Sequence, residues 1–233
     1  MHDRGFHISW YHAKRSLDHP LMQIVRAKIW ASERIIGQPE CDDPIETYFP
    51  PYVNEQPIEA FILDRSFYKP RDIVWRLSIA QRLFPNETAF TIDVLLKTEI
   101  EYSSRLWDEI RYELGATYSD REVGAIEGAI SGGKAAFHVE EIVDRFERSA
   151  KYSSVLGLLL ERRSVQEILS DLYRLGAIGN SFRVGTDADN LRNRWVFRGD
   201  PSLLVEKRMV IHPALVKRLS AVRERRRGPR GRR

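Results

Sequence analysis

The chain has 233 residues, of which 42% are hydrophobic and 30% charged, and its formal net charge is +4. This length and composition allow one large or two modest globular domains and argue against a fibrous protein. No apolar run reaches the ~20 residues of a membrane-spanning helix, and the start of the chain lacks the apolar segment of an export signal. We therefore expect a cytoplasmic protein, and with Cys41 as the single cysteine no internal disulfide can form.

The basic charge is concentrated at the C-terminus. Residues 223–233 contain seven arginines and one glutamate, a net charge of +6, which leaves −2 for the rest of the chain. Because this segment is broken by Gly and Pro and has no apolar residue, we predict a disordered tail. Its candidate nucleic-acid contacts are Arg225, Arg226, Arg227 and Arg230, which would bind phosphates with a steep salt dependence. The alternative is a solvated, solubilising end.

Helix signals dominate the first part of the chain. They predict helices over about residues 19–36, 70–84, 92–114 and 120–130. The first is capped by Asp18 and has an apolar stripe that includes Leu21, Val25, Ile35 and Ile36. Pro70 opens the second, and Ser119 with Glu122 forms a capping box for the last. The Pro-rich residues 39–57 are expected to form an ordered loop packed through its aromatics.

Residues 139–219 predict a winged helix. Two short helices precede a third over residues 165–175, for which Ser164 and Glu167 form a capping box and Gly176 supplies the left-handed C-terminal residue. A basic hairpin is expected from strands at 182–184 and 195–197 around a turn at 185–190. A further strand at 208–211 and a closing helix from Pro213 complete the pattern.

These elements predict a mainly α protein with a small β component (α+β). Its expected parts are a helical lid-like domain at residues 1–134, a winged-helix domain at 135–222 and the Arg-rich tail at 223–233. The break at Gly132 and Gly133 marks the expected boundary between the two domains.

Several segments resemble the C-terminal half of a bacterial AAA+/STAND-like P-loop ATPase family that is linked to defence and mobile-element loci. They are RSFYKPRDIV at 65–74, EYS at 101–103, LYRLGAIG at 172–179 and IHPAL at 211–215. The resemblance covers most of residues 8–219, and its most specific element is Pro-Arg-Asp at a helix start. In that family a nucleotide-binding core comes first, followed by a helical lid and a winged helix.

The resemblance implies that Arg71 corresponds to a lid arginine that approaches the terminal phosphate of a bound nucleotide. The local chemistry agrees, since Pro70 fixes the helix start and a helix N-terminus favours anions. The alternative is a surface ion pair with Asp72 or another carboxylate. The chain by itself is expected to hold no cofactor, with ATP and Mg²⁺ relevant only if a separate core is present.

A stretch at residues 128–135, GAISGGKA, imitates a phosphate-binding loop. Such a loop must follow a buried strand, and its eighth residue must carry a hydroxyl for magnesium. Here a helix precedes the glycines and Ala135 has no hydroxyl, so we interpret the segment as a linker. Leu158 to Glu161 similarly imitates a Walker B strand. We predict no enzymatic activity for the isolated chain.

Other catalytic and metal patterns are weaker. His2, His7, His12 and His19 with Cys41 do not reproduce a compact zinc-ligand spacing, so no metal site is predicted. His138 and His212 are expected at helix starts, without a nucleophile and orienting acid beside them. Asp42, Asp43 and Glu46 form an acidic loop that no nuclease pattern accompanies.

The third helix is a poor reader of DNA bases. Its expected outer face carries Gln166, Glu167, Ser170, Asp171 and Arg174, in which two acids oppose one arginine. The hairpin is a better nucleic-acid contact, and its candidate residues are Arg183, Arg192, Arg194 and Arg198. Trp195 is expected in the core rather than on a stacking platform.

These patterns favour a non-catalytic regulatory or interaction module of a P-loop ATPase system, coupling a nucleotide-binding core to a winged-helix binding domain. The expected partner is an ATPase core or another protein, with DNA possible through wing and tail and no membrane. The alternative is a DNA-binding winged-helix regulator that contacts phosphates through its wing and basic tail. A third hypothesis is an ATPase in its own right.

Overall fold

A computed structural model describes residues 10–11, 16–183 and 191–223. About 56% of the described residues are helical and about 9% are in strands, so the predicted mainly α, α+β class is confirmed. The chain divides into two compact units, Met1–Leu106 and Trp107–Arg233. The domain boundary after residue 134 stays a prediction. Within the described residues, no helix combines the length and apolar character that crossing a bilayer requires.

The N-terminal unit consists of helices joined by short turns and one small hairpin. Its described helices are α1 (Pro20–Ile35), α2 (Pro44–Tyr48), α3 (Ile58–Asp64), α4 (Pro70–Leu83) and the first part of α5 (Ile92–Leu114). Strands β1 (Tyr52–Val53) and β2 (Gln56–Pro57) pair antiparallel. Asn54 and Glu55 between them both have positive φ, as type I′ hairpin turns require. The segment predicted as a loop therefore contains a helix and a hairpin.

Helix α1 begins as predicted but is capped and buried differently. Its cap is His19, whose Nδ1 accepts a hydrogen bond from the Leu21 amide at 3.1 Å, rather than Asp18. Leu21 and Val25 are fully buried as predicted, whereas Ile35 and Ile36 are 85% and 67% exposed. Glu33 is buried instead of them. The prediction for the end of the stripe was wrong because polar partners, not hydrophobicity, decide which side chain turns inward there.

The core of the N-terminal unit contains charged side chains. Glu99 accepts a hydrogen bond from Nε of Arg65 at 2.9 Å, and Nη2 of Arg76 lies 3.6 Å from the same oxygen. Arg76 is 1% exposed and its guanidinium lies over the rings of Phe61 and Tyr102. Burial lowers the pKa of Arg76, while Tyr102 and Glu99 oppose that change. This ionic cluster fixes α3, α4 and α5 in one arrangement.

The C-terminal unit combines helices with a four-stranded antiparallel sheet. Its described helices, after the end of α5, are α6 (Asp120–Ile130), α7 (Val139–Ala150), α8 (Ser154–Arg162) and α9 (Val165–Arg174). Its strands are β3 (Ala136–Phe137), β4 (Ile178–Arg183), β5 (Leu191–Arg194) and β6 (Met209–Ile211). The spatial order is β3, β6, β4, β5, so the strand predicted near residues 208–211 is confirmed and lies inside the sheet.

Helix α9 matches its sequence signals closely. Ser164 Oγ accepts from the Glu167 amide at 3.3 Å while Glu167 Oε2 accepts from the Ser164 amide at 2.8 Å, which is the predicted capping box. At the other end Gly176 has φ of 77°, and the Ala177 amide donates to the Leu172 carbonyl at 2.9 Å. This is a Schellman motif. The apolar pattern predicts Val165, Ile168, Leu169, Leu172 and Leu175 on the inner face. The first four are buried together with Tyr173, whereas Leu175 is half-buried.

Two elements predicted for the C-terminal unit were wrong, namely the second hairpin strand at 195–197 and the closing helix from Pro213. Strand β5 ends at Arg194, and residues Val196–Arg198 form a 3-10 turn rather than a strand. The predicted core position of Trp195 is confirmed, since it is 2% exposed and its ring packs against His212 with the centroids 4.9 Å apart. The closing helix is only a 3-10 turn, Pro213–Leu215. The predicted turn at 185–190 lies outside the described residues.

Candidate anion-binding site

The site begins with the tight turn between α3 and α4, which is fixed by side chains. Asp72 is fully buried, and its Oδ2 accepts a hydrogen bond from the Phe67 amide at 3.1 Å. Ser66 Oγ donates to the Leu63 carbonyl and accepts from the Tyr68 amide, at 3.0 and 3.2 Å. Tyr68 has φ of 53°, a left-handed conformation that disfavours a bulky residue and persists only where surrounding contacts impose it.

Arg71 projects from the first turn of α4, directly after this fixed turn. Pro70 occupies the first helical position, where its missing N–H leaves no hydrogen bond unmade. The Arg71 side chain is exposed, and its guanidinium carbon lies 4.5 Å from the centre of the Trp75 ring. Trp75 is four residues later on the same helix, the spacing at which two side chains meet. The predicted site residue is therefore at a helix start and is held against an aromatic ring.

A second arginine approaches the same ring from another helix. Arg105 on α5 is exposed, and its guanidinium carbon lies 3.9 Å from the centre of the Trp75 ring. Both distances fall within the range of cation–π contacts. We call Arg71, Trp75 and Arg105 the Arg–Trp–Arg cluster. Both guanidinium groups contact the same half-buried ring, so an anion between them could bind to both.

Charged residues of both signs flank the cluster in the sequence, with Lys69 before Arg71 and Asp108 and Glu109 after Arg105. Lys69, which precedes α4, is exposed and has its ammonium 5.8 Å from the Phe67 ring. Glu101 is one helical turn before Arg105, but it forms an ion pair with Arg82. The N-terminal amides of α4 add the positive end of a helix dipole. A polyphosphate is the ligand that planar guanidinium groups in this setting match best.

The sequence pattern indicated Arg71 as a candidate but not Trp75 or Arg105. The spacing of four residues from Arg71 was the available signal for Trp75. Arg105 had no such signal, because its proximity depends on how α5 packs beside α4.

The glycine-rich stretch that imitates a phosphate loop is the end of a helix and a turn. Gly128, Ala129 and Ile130 belong to α6, and the Arg145 guanidinium donates to the carbonyls of Ala129 and Ser131. Lys134 forms an ion pair with Glu141. The carbonyls at this helix end are thus satisfied by an arginine, and the lysine has a carboxylate partner. Leu158 to Glu161 lies within α8, a helix, where a Walker B motif would need a strand.

The candidate hairpin arginines have different surroundings. Arg192 is exposed, with no ion pair in the described part of the chain. Nε of Arg194 lies 3.1 Å from Asp200 Oδ1, and Nη1 of Arg198 donates to the Asn193 carbonyl at 3.2 Å. Arg183 ends β4 opposite Leu191. The structure therefore presents Arg192 to solvent and holds Arg194 and Arg198 against the protein.

The remaining sequence candidates give no chemical site among the described residues. Arg225, Arg226, Arg227 and Arg230 lie outside them, as do His2, His7 and His12. In the part of the chain that the structure describes, no group of three or more His, Cys, Asp or Glu side chains is placed to hold a metal ion. His212 caps the Pro213–Leu215 turn through its Nδ1, which accepts from the Ala214 amide at 3.2 Å.

No protein-family model matches this chain, and neither the curated proteins nor the solved structures include a significant match to it. We therefore infer its function from its residues and their geometry.

Proposed function

We propose that the chain is a non-catalytic regulatory and interaction module of a P-loop ATPase system. In this proposal Arg71 contacts the polyphosphate of a nucleotide that a separate core holds, and the C-terminal unit acts as a winged-helix binding domain. The observation that carries it is the exposed Arg71 guanidinium on a rigid helix start, beside Trp75 and Arg105. The sequence resemblance supplies the class of partner, and the cluster supplies the anion-binding chemistry.

The side chains at the glycine-rich turn support a binding role rather than catalysis of ATP hydrolysis. A P-loop needs free amides converging on phosphate and a lysine able to reach it. Here Arg145 covers the helix end and Lys134 is paired with Glu141. We therefore expect the purified chain to give no ATP hydrolysis above background. Hydrolysis that disappears in Lys134→Ala would overturn the non-catalytic assignment.

The polyphosphate contact can be tested on the purified chain by calorimetric titration with inorganic tripolyphosphate at low ionic strength. A hydrogen bond to a charged group contributes about 1.5–3 kcal/mol, so we expect Arg71→Ala to weaken binding about tenfold or more. Arg34→Ala is the matched control, because Arg34 is an exposed arginine on α1 that is paired with Glu40. The control should bind like the wild type.

Two results would contradict the polyphosphate contact. One is the absence of saturable tripolyphosphate binding by the wild type, and the other is an equal loss in Arg71→Ala and Arg34→Ala. The second result would indicate general charge attraction rather than a defined site.

DNA binding through the wing and tail is a second candidate, which the exposed Arg192 favours. The order of α7, α8, α9 and the β4–β5 hairpin also supports a winged helix, in which α8 and α9 are joined by a short turn. The third helix is poorly suited to reading bases, since Arg174 is paired with Asp171 and Glu167 caps its own helix. Contacts would therefore go to phosphates, without base readout.

This second candidate predicts a characteristic salt dependence. Binding to a random-sequence duplex should weaken steeply with salt, and Arg192→Ala should reduce the slope by about one phosphate contact. Removal of residues 223–233 should reduce the slope further. Arg148→Ala, which removes an exposed arginine paired with Asp144 at 2.7 Å, is the control. Unchanged slopes in all variants would exclude this function.

A further inference from the structure

A cavity of about 370 Å³ opens between α1, the end of α4 and the segment before α5 in the N-terminal unit. Most of its wall is apolar, with Ile29 and Ile36 from α1, Phe84 from the end of α4, Phe90 and Val94. The volume falls in the range of small-molecule sites, which are apolar cavities with a few placed polar groups.

The walls of the cavity are held in place by contacts outside it. Phe90 stacks on Phe49 with the ring centroids 4.7 Å apart, and the Phe90 amide donates to the Tyr48 carbonyl at 2.8 Å. Ala80 and Val94 at its base are almost completely buried. The space is therefore preformed.

One buried carboxylate lines this apolar space. Glu33 is 3% exposed, and its Oε1 accepts a hydrogen bond from the Tyr48 hydroxyl at 2.7 Å. Its Oε2 accepts from the Cys41 amide at 3.2 Å, and Cys41 is itself held by the Trp30 indole, which donates to its carbonyl at 2.8 Å. Each carboxylate oxygen has a second lone pair, so Glu33 retains acceptor capacity toward the cavity.

The bond from Tyr48 is the largest of the effects that lower the pKa of Glu33, so this side chain is anionic at neutral pH. The hydrogen bonds from Tyr48 and the Cys41 amide stabilise this anion, and a cation beside it in the apolar cavity would add an attraction that is stronger than in water. The described residues that line the cavity include two carboxylates, Glu33 and Glu87, but no lysine, arginine or histidine. A positively charged ligand would supply a counter-charge to Glu33.

We propose that this cavity binds a small organic ammonium compound with an aromatic or aliphatic body. The ammonium group donates to Glu33, and the body lies against Phe84 and Phe90, whose ring faces also attract cations. The site is separate from the Arg–Trp–Arg cluster in its residues and opposite in charge preference. A test of this site is therefore independent of a test of the polyphosphate site.

Two probes of the same shape test the charge preference. They are 1-naphthylmethylamine, which is protonated at pH 7, and 1-naphthalenemethanol, which is neutral. Calorimetric titration of the full chain should show the amine binding about tenfold or more tightly than the alcohol, since a hydrogen bond to a charged group is stronger than a neutral one. Glu33→Gln should remove that preference.

A steric variant tests the location. Ser32 is exposed on α1 and lines the cavity, so Ser32→Phe should block both probes without changing Glu33. Ser78→Phe is the matched control, an exposed serine on α4 that does not line the cavity, and it should bind both probes like the wild type. Intermolecular NOEs from the naphthyl protons to the methyl groups of Ile29 and Val94 would place the amine directly.

Three results would overturn the proposal. They are no saturable binding of the amine by the wild type, equal affinity for amine and alcohol, and unchanged amine affinity in Ser32→Phe. Because Glu33→Gln also alters the bonds to Tyr48 and Cys41, its result counts only with an unchanged circular dichroism spectrum. If Glu33→Gln does not fold, the affinities measured for Ser32→Phe test the proposal.

Discussion

The hydroxyl of Tyr118 lies 2.6 Å from Oδ2 of Asp171 and donates a hydrogen bond to it. The same carboxylate accepts from Arg163 at 3.2 Å and, through its other oxygen, pairs with Arg174 at 2.7 Å. Asp171 was predicted on the outer face of the third helix of the winged-helix pattern. The Asp171 carboxylate is instead bound by Tyr118, which lies in the turn before α6. This hydrogen bond fixes α9 and keeps part of its outer face from contacting a ligand.

Removing this bond should destabilise the C-terminal unit. We expect Tyr118→Phe to lower the free energy of unfolding by about 1–2 kcal/mol, because a partly buried acceptor loses a donor. Urea denaturation measures the change, and hydrogen exchange in peptides covering α9 localises it. Tyr112→Phe is the control, since Tyr112 is 86% exposed. Equal effects of the two substitutions would show that the Tyr118 hydroxyl contributes nothing specific.

The same pair predicts a loss of stability at alkaline pH. Burial, followed by the bond to Asp171, raises the pKa of Tyr118 above its ordinary value of 10.0. A raised folded-state pKa means that the contribution is complete below pH 10 and is lost as the pH rises further. We expect urea midpoints to fall above pH 10 more steeply in the wild type than in Tyr118→Phe. Parallel curves would contradict this assignment.

Glu99 is predicted to be essential for the N-terminal unit. Glu99→Gln leaves the buried guanidinium groups of Arg65 and Arg76 without their carboxylate, and breaking such a buried pair typically costs about 3–5 kcal/mol. Glu101→Gln removes a more exposed partner of Arg82 and should change stability by less than about 1 kcal/mol. Thermal and urea denaturation of both variants checks the contrast. A loss of similar size in both would show that the buried cluster is not stabilising.

Gly179 in β4 is required by close packing. A Cβ atom there would lie 2.5 Å from the Arg194 carbonyl oxygen and 2.5 Å from the Trp195 ring. We expect Gly179→Ala to destabilise the C-terminal unit by about 1–3 kcal/mol or to displace Trp195, as over-packing does. Gly124→Ala is the matched control, because nothing lies within 4 Å of its added methyl. That change should stabilise α6 by up to about 1 kcal/mol.

Denaturation of the two glycine variants, with near-ultraviolet circular dichroism as a probe of Trp195, distinguishes these outcomes. A Gly179→Ala protein as stable as Gly124→Ala, with an unchanged aromatic spectrum, would refute the packing argument.

The parts of the fold that the sequence predicted depend on residues close together in the chain. The capping boxes at Ser119 and Ser164 and the left-handed Gly176 act through backbone bonds within about one turn, so their sequence signals are reliable. Pro70 likewise placed Arg71 on a first helical turn. The hairpin was less predictable, since Trp195 has strand propensity but is withdrawn into the core against His212.

The candidate sites depend instead on residues that are far apart in the chain. Arg105 contacts Trp75 only because α4 and α5 pack together, and no spacing of residues in the sequence predicts that contact. Glu33 is buried while Ile35 is exposed, since Tyr48 and the Cys41 amide satisfy the carboxylate. A hydrophobic pattern cannot predict that a polar side chain is buried when its hydrogen-bond partners come from a distant segment.

The sequence by itself determined the mainly α class, the ends of α6 and α9 and the position of Arg71 on a first helical turn, because these follow from local backbone hydrogen bonding and from the fixed φ of proline. Only the tertiary structure decided that Trp75 and Arg105 join Arg71, that Asp171 is occupied by Tyr118, and that Glu33 lines an apolar cavity. Each of these depends on side chains brought together by packing, and their interaction energies exist only once the chain has folded.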